Sequence, residues 1–311
     1  MSALRLDTVV KRYGDVVALR DLSMSIEEGE MFGLIGPDGA GKTTAIRLMC
    51  GLLKPDGGTI RVLGRDPVTE HLQVTHSLGY LSQRFSLYGD LSVDENIGFF
   101  AEIHGLNMGD PVMKARRERL LDLTQLTRFR GRLADQLSGG MKQKLALACT
   151  LVHEPKIILL DEPTTGVDPV SRREFWKLLS EFLSQGITIL MATPYLDEAE
   201  RCSRVALLHE GALIALDTPA NLRGSLPGEV MEVIALDRER AAGVLRRLPG
   251  VADVQSFGER AHARLHPGSA LSDADRLTAA LRNAGIEVES VRRVGASLED
   301  VFIARVTKET T

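Results

Sequence analysis

The sequence predicts an α/β protein with a smaller α+β domain towards its C-terminal end. Three observations predict this. The apolar run Met31–Ile35 reads as a strand, runs into a glycine-rich turn and is followed by a helical pattern over 45–50. A second apolar run over 156–160, continuous in Ile and Leu, reads as a buried strand and ends in two acids. From about residue 229 the periodicity switches in the order β-α-β-β-α-β.

The turn is Gly36-Pro37-Asp38-Gly39-Ala40-Gly41-Lys42-Thr43-Thr44, the G-x-x-x-x-G-K-T phosphate loop in the strand-to-helix setting that its mechanism needs. Its glycines let successive backbone N–H groups turn inward onto phosphate oxygens, and the following helix adds the positive end of its dipole. Lys42 is expected to reach the β- and γ-phosphates, and Thr43 to hold Mg²⁺. The second acidic element follows the buried strand. Asp161 can hold Mg²⁺ through water, and Glu162 can orient and deprotonate a water facing the γ-phosphate.

Of 311 residues, 44% are hydrophobic and 26% charged, as in an ordinary globular protein. Net charge is −4, which gives no electrostatic support for nucleic-acid binding. Cys50, Cys149 and Cys202 are scattered among apolar neighbours. They read as reduced core residues of a cytosolic protein, without metal-ligand spacing. The opening residues lack a signal-peptide pattern. No apolar run approaches the ~18 residues needed to span a bilayer. A role in transport therefore requires another polypeptide to form the pathway.

Taken in order, residues 4–10 alternate as a half-buried strand, with Tyr13 in the turn that follows. Residues 16–26 read as a strand pair. After the phosphate loop and its helix come short strands at 59–63 and 77–82, the second ending at Gln83. Helical periodicity then dominates an insertion of about 84–150, with helices at 94–104, at 112–121 and from the segment Leu137-Ser138-Gly139-Gly140-Met141-Lys142-Gln143 to about 152. A helix at 171–185, a buried strand at 188–192 and a hairpin at 205–209 and 212–216 complete a first domain of residues 1–220. Residues 217–228, rich in Pro, Gly and Asn, read as a linker. The second domain, 221–311, reads as ferredoxin-like and ends in an amphipathic helix at 297–306.

The phosphate loop, Gln83, the Leu-Ser-Gly-Gly-Met-Lys-Gln segment, residues 157–163 and Gly166-Val167-Asp168-Pro169 fall in the order of an ABC-type ATP-binding subunit. The resemblance covers roughly residues 3–220. It implies a phosphate-loop NTPase core with an antiparallel β subdomain and a helical subdomain, using ATP and Mg²⁺. The C-terminal domain and Leu298-Glu299-Asp300-Val301-Phe302 resemble the drug- and ion-exporting, ABC-2-like branch, in particular the first half of a fused two-domain exporter ATPase.

By the same resemblance, Tyr13 matches an adenine-stacking aromatic, the alternative being an ordinary loop tyrosine. Gln83 matches the residue that contacts Mg²⁺ and the attacking water. Ser138, Gly139 and Gly140 match the signature that binds the γ-phosphate of ATP held by another protomer, a role compatible with simple helix capping. Asp168 matches the loop that crosses the dimer interface, the alternative being a turn formed with Pro169. Phe85, Leu87 and Tyr88 are candidates for a groove receiving a membrane subunit, or else core residues. The implied partners are ABC-2-type transmembrane permease subunits and a second ATP-binding domain, in a heterodimer or a homodimer, at the cytoplasmic face of the inner membrane.

Two positions depart from the family pattern. Asp38 stands where asparagine is usual. A carboxylate beside triphosphate is repelled, so its side chain is expected to point away toward the dimer seam. Pro194 stands where a histidine usually follows the strand and has neither an imidazole nor an N–H. The site is therefore expected to bind ATP and hydrolyse it slowly. Two other readings stay open: a mainly regulatory subunit whose partner does the turnover, and a soluble, non-transport ABC ATPase.

Overall fold

Alternating apolar side chains make β1 (Ser2–Tyr13) and β2 (Val16–Glu27) an antiparallel pair in the computed structural model, which describes residues 2–83 and 86–309. Residues 16–26, expected as two strands, form one. Register shifts opposite Leu6, Val9 and Lys11 absorb the breaks in alternation, so the ladder bends without ending. Next come β3 (Met31–Ile35), α1 (Lys42–Met49) and β4 (Gly57–Val62). β4 pairs with the other edge of β1 and completes a three-stranded antiparallel sheet.

The chain continues through α2 (His71–Ser77), β5 (Leu78–Leu81), α3 (Val93–Ile103), α4 (Pro111–Leu123) and α5 (Gly139–Leu151). Local chemistry sets these helix starts. Ser92 and Glu95 form a capping box on α3, Asp110 caps α4 ahead of Pro111, and Ser138 caps α5. Then follow β6 (Ile157–Asp161), α6 (Pro169–Ser184), β7 (Thr188–Thr193), α7 (Leu196–Ala199), β8 (Arg204–His209) and β9 (Ala212–Asp217). Six of these strands form one sheet in the order β5-β6-β7-β3-β8-β9, with the pairs from β5 through β3 to β8 parallel. β3, β6 and β7 are buried along their whole length, as strands covered on both faces must be. Their carboxyl ends leave the sheet on one edge, where open α/β sheets place ligands. The α/β core with its antiparallel and helical parts is as expected.

The chain divides into two compact units, Met1–Leu216 and Asp217–Thr311. The second contains α8 (Pro219–Gly224), β10 (Val230–Ala235), α9 (Arg238–Leu245), β11 (Val251–Phe257), β12 (Arg260–Leu265), α10 (Ala274–Asn283), β13 (Val288–Val294) and α11 (Leu298–Glu309). Its strands lie in the order β11-β12-β10-β13, every pair antiparallel. Met231, Val233, Leu245, Ala263, Leu277 and Leu281 form its core. The segment expected as a linker is partly helical. The Thr218 hydroxyl accepts from Asn221 N, Pro219 takes the first helical turn, and α8 packs on α11.

α11 is also tied to the sheet by charge. His262 Nδ1 on β12 lies 3.1 Å from Asp300 Oδ2, and its Nε2 lies 3.8 Å from Glu232 on β10. Glu232 in turn accepts from Arg292 at 2.6 Å and Arg260 at 3.3 Å. The bond to Asp300 raises the His262 pKa above its usual value. Burial pushes the Asp300 carboxyl up, but the bonds from His262 and Ser297 outweigh it and hold it low. The His262 contribution is thus present below pH about 6.5 and fades as pH rises through its raised pKa; the Asp300 contribution is lost only in acid. Hydrogen exchange of α11 amides, corrected for intrinsic rates, is expected to be faster at alkaline pH than near pH 6. Replacing His262 with alanine should remove that difference.

Candidate functional site

The 36–44 loop leaves β3 at the centre of the sheet. Gly36 is required by proximity, since an added Cβ would lie 2.4 Å from Leu208 O. Gly41 has φ +100° and its Cβ position lies 2.6 Å from Ala18 O. Lys42 opens α1 and folds back over the loop. Its Nζ donates to Gly36 O at 2.8 Å and Pro37 O at 3.0 Å, and lies 3.1 Å from Glu162 Oε1. Both side chains are almost fully buried, 3% exposed for Lys42 and 8% for Glu162, so each charge relies on the other.

β6 ends in Asp161 with Glu162 directly after it, and β5 ends just before Gln83. Thr43 Oγ1 donates to Asp161 Oδ1 at 2.9 Å, and Tyr80 Oη to Asp161 Oδ2 at 3.4 Å. Gln83 Nε2 donates to Glu162 Oε2 at 3.0 Å. Burial pushes the Asp161 carboxyl up, the Thr43 bond opposes this, and the neighbouring Glu162 raises it again, leaving it above its usual value. A divalent cation would relieve that unfavourable charge, and the hydroxyl and carboxylate oxygens here suit Mg²⁺. Glu162 holds an unusual left-handed backbone, φ 51°, which turns the chain as it leaves the strand.

Above this cluster lies a cavity of about 830 Å³, lined by Asp38, Gly39, Gly41, Lys42, Thr43, Thr44, Gln83, Glu162 and Pro194; Asp38, expected to point away, is exposed and among the lining residues. Val16, Val17, Ala18 and Arg20 on β2 form another wall. Tyr13 is 47% exposed at the end of β1, with Lys11 Nζ 5.6 Å from its ring centre, and does not line the cavity. Ser138, Gly139 and Gly140 lie at the start of α5, also outside the lining. Ser138 accepts from Met141 N at 3.4 Å, and Gln143 Nε2 donates to the Pro163 carbonyl, which ties α5 to the loop after β6. Asp168 is the N-cap of α6, accepting from Val170 N and Ser171 N at 3.0 Å each. The Ser171 bonds hold its carboxyl below the usual range.

The structure therefore gathers Lys42, Thr43, Gln83, Asp161 and Glu162 into one cluster and leaves Tyr13, Ser138 to Gly140 and Asp168 outside the cavity wall. Leu87 lines a small hollow of about 70 Å³ with Phe100 and Ala146, and the Tyr88 ring packs edge-on to Phe99 at 4.4 Å. Phe85 lies outside the described residues. Cys50, Cys149 and Cys202 are all buried.

The ABC transporter family model matches residues 19–165. The daunorubicin resistance ATP-binding protein DrrA2 of Streptomyces coeruleorubidus is 34% identical over 97% of this chain and 94% of its own length. The chain belongs to the ABC transporter family. This ABC transporter chain is also 40% identical to the probable multidrug ABC transporter ATP-binding protein YbhF of Escherichia coli (strain K12). That match covers 97% of the chain but 52% of YbhF, so the chain spans about half of that relative. A solved dimeric, post-hydrolysis ATP-binding cassette bound to ADP and Pi aligns with a TM-score of 0.62 and 26% identity, over 69% of this chain and 98% of the other.

Sequence reasoning missed several residues of this ABC cassette. Tyr80 touches Asp161 from three residues before Gln83, and Thr165 and Tyr195 line the cavity beside Pro194. Tyr80 had a usable signal, because strand alternation from Leu81 turns it away from its apolar neighbours. Thr165 and Tyr195 had none beyond adjacency to motif residues. Among the described residues no helix is long and apolar enough to cross a membrane.

Proposed function

We propose that the chain is the ATP-binding subunit of an ABC exporter, coupling ATP binding and hydrolysis to export through a separate ABC-2-type membrane subunit at the cytoplasmic face of the inner membrane. The observation that carries this reading is the convergence of Lys42, Thr43, Gln83, Asp161 and Glu162 beneath one cavity. The loop amides and Lys42 would take the phosphates, and Thr43, Asp161 and Gln83 would hold Mg²⁺. Glu162 orients and deprotonates water. Tyr13, exposed and outside the cavity lining, would stack on an adenine that extends beyond it. Mg²⁺ supplies charge neutralisation on the β- and γ-phosphates when bound.

The start of α5 lies apart from the chain's own cavity, so Ser138, Gly139 and Gly140 present their N–H groups to nucleotide held by a second ATP-binding domain, with Asp168 at the same seam. The names of the relatives, one a probable multidrug ABC transporter ATP-binding protein and one a daunorubicin resistance ATP-binding protein, support export as the task. Purification from its own membranes tests the reading: a polytopic membrane protein should accompany the chain, and association with ribosomes or DNA instead would point to the soluble, non-transport alternative.

A regulatory reading is favoured by one position. Pro194 borders the cavity and brings no donor to the γ-phosphate. The chain's own site is slow, and a heterodimer lets its intact signature complete a faster site on the partner. Restoring a donor with Pro194→His is expected to raise single-turnover hydrolysis roughly 10-fold to 100-fold. Unchanged hydrolysis would show that the missing imidazole is not the limitation.

A further inference from the structure

Glu198 takes no part in the chemistry above, yet it is only 1% exposed. A buried carboxylate is costly unless its oxygens are bonded. Here Oε1 accepts from Thr164 Oγ1 at 2.6 Å and Oε2 accepts from Thr193 Oγ1 at 2.7 Å. Thr164 lies in the turn just after Glu162 and Pro163. Thr193 ends β7 and immediately precedes Pro194. One side chain thus joins the segments that leave the carboxyl ends of β6 and β7.

A third partner comes from α6. Arg172 Nε stands 3.8 Å from Glu198 Oε1, and its guanidinium sits 5.0 Å from the Tyr195 ring centre. That Nε is buried with no hydrogen-bond partner among the described residues. The pair is close enough to attract and too far apart to bond, so the contact has room to shorten. α6 is held to the same region again by Arg201, 5.3 Å from the Trp176 ring centre. α6 starts at its cap, Asp168.

We infer that Glu198 is a positioning residue that locks the Pro194 and Tyr195 wall of the cavity to α6, so that nucleotide pressed against that wall shifts α6 and Asp168. The inference rests on the nucleotide reading of the cavity. Thr165, Pro194 and Tyr195 line the cavity, and each is within one residue of a group bonded to Glu198 or its partners. Moving one segment alone would strand a buried hydroxyl or the carboxylate, so the segments move together. Proline at 194 offers no donor to the nucleotide, which leaves the packing of the wall to register it.

Trp176 is the single tryptophan of the sequence, so its emission reports the packing of α6 against Arg201. Nucleotide affinity is measured separately with mant-ATP. MgATP should shift Trp176 emission in the unaltered chain. Glu198→Ala should bind mant-ATP with unchanged affinity and lose the shift. Glu198→Gln keeps the shape and can bond both hydroxyls but drops the charge facing Arg172, so it should keep a reduced shift. A full shift in Glu198→Ala, or no shift in the unaltered chain while mant-ATP binds, overturns the inference. Failure of the unaltered chain to bind mant-ATP overturns the nucleotide reading beneath it. Should Glu198→Ala not fold, Glu198→Gln decides: a reduced shift supports the inference and a full one overturns it.

Discussion

Replacing Lys42 by alanine should weaken MgATP binding about 100-fold, measured by titration with a fluorescent ATP analogue. The ammonium is held in place by two loop carbonyls and Glu162, so its position is fixed before any phosphate arrives. Charge-assisted bonds of this kind contribute about 1.5–3 kcal/mol each. The change has a second consequence. Glu162 keeps its bond from Gln83 but loses the one cation paired with it among the described residues, in a position 8% exposed. Lys42→Ala should therefore also lower stability by about 1–3 kcal/mol. Glu162→Gln in the same background should recover part of that loss without recovering nucleotide affinity. Additive effects in this cycle would show that the two side chains do not depend on each other.

Gly41→Ala is expected to cost about 3 kcal/mol or more in stability and to abolish nucleotide binding. Two independent penalties act there. A φ of +100° lies in the region that L side chains avoid, and the new methyl would meet Ala18 O at 2.6 Å and Leu19 Cδ2 at 2.7 Å. The oxygen belongs to β2 backbone and cannot swing aside. Gly39 is the control. Its φ is +79°, but no atom lies within 4 Å of a Cβ there, so Gly39→Ala should cost only about 1 kcal/mol. Chemical denaturation of both variants gives the comparison, and equal losses would mean that backbone conformation alone governs the loop.

The parts of this chain that were legible in its sequence are those whose meaning is local. A strand, a glycine turn and Lys42 follow one another directly, and so do the apolar run at β6 and its two acids. That Gln83 bonds to Glu162 depends on β5 lying beside β6, a sheet order that periodicity does not carry; the family resemblance marked Gln83 as a site residue but not this bond. Composition misled at residues 217–228, where Pro219 and Asn221 suggest a loop but serve the first turn of α8. Glu198 sits in Asp197-Glu198-Ala199-Glu200, a run that reads as a solvated helix face. Only the tertiary fold turns one of those acids inward onto two threonines and leaves Asp197 and Glu200 exposed. No local signal separates the three.

The central place of β3 bears on how the chain is made. β3 is complete once residue 35 has left the ribosome, but its two neighbours, β7 and β8, lie at Thr188–Thr193 and Arg204–His209. A growing chain that has not reached them carries the phosphate loop on an apolar strand with both edges open. Such strands pair slowly and expose the nascent chain to aggregation. Nucleotide grip is thus acquired late in synthesis, and nascent chains stalled before residue 188 should be captured by chaperones without retaining ATP.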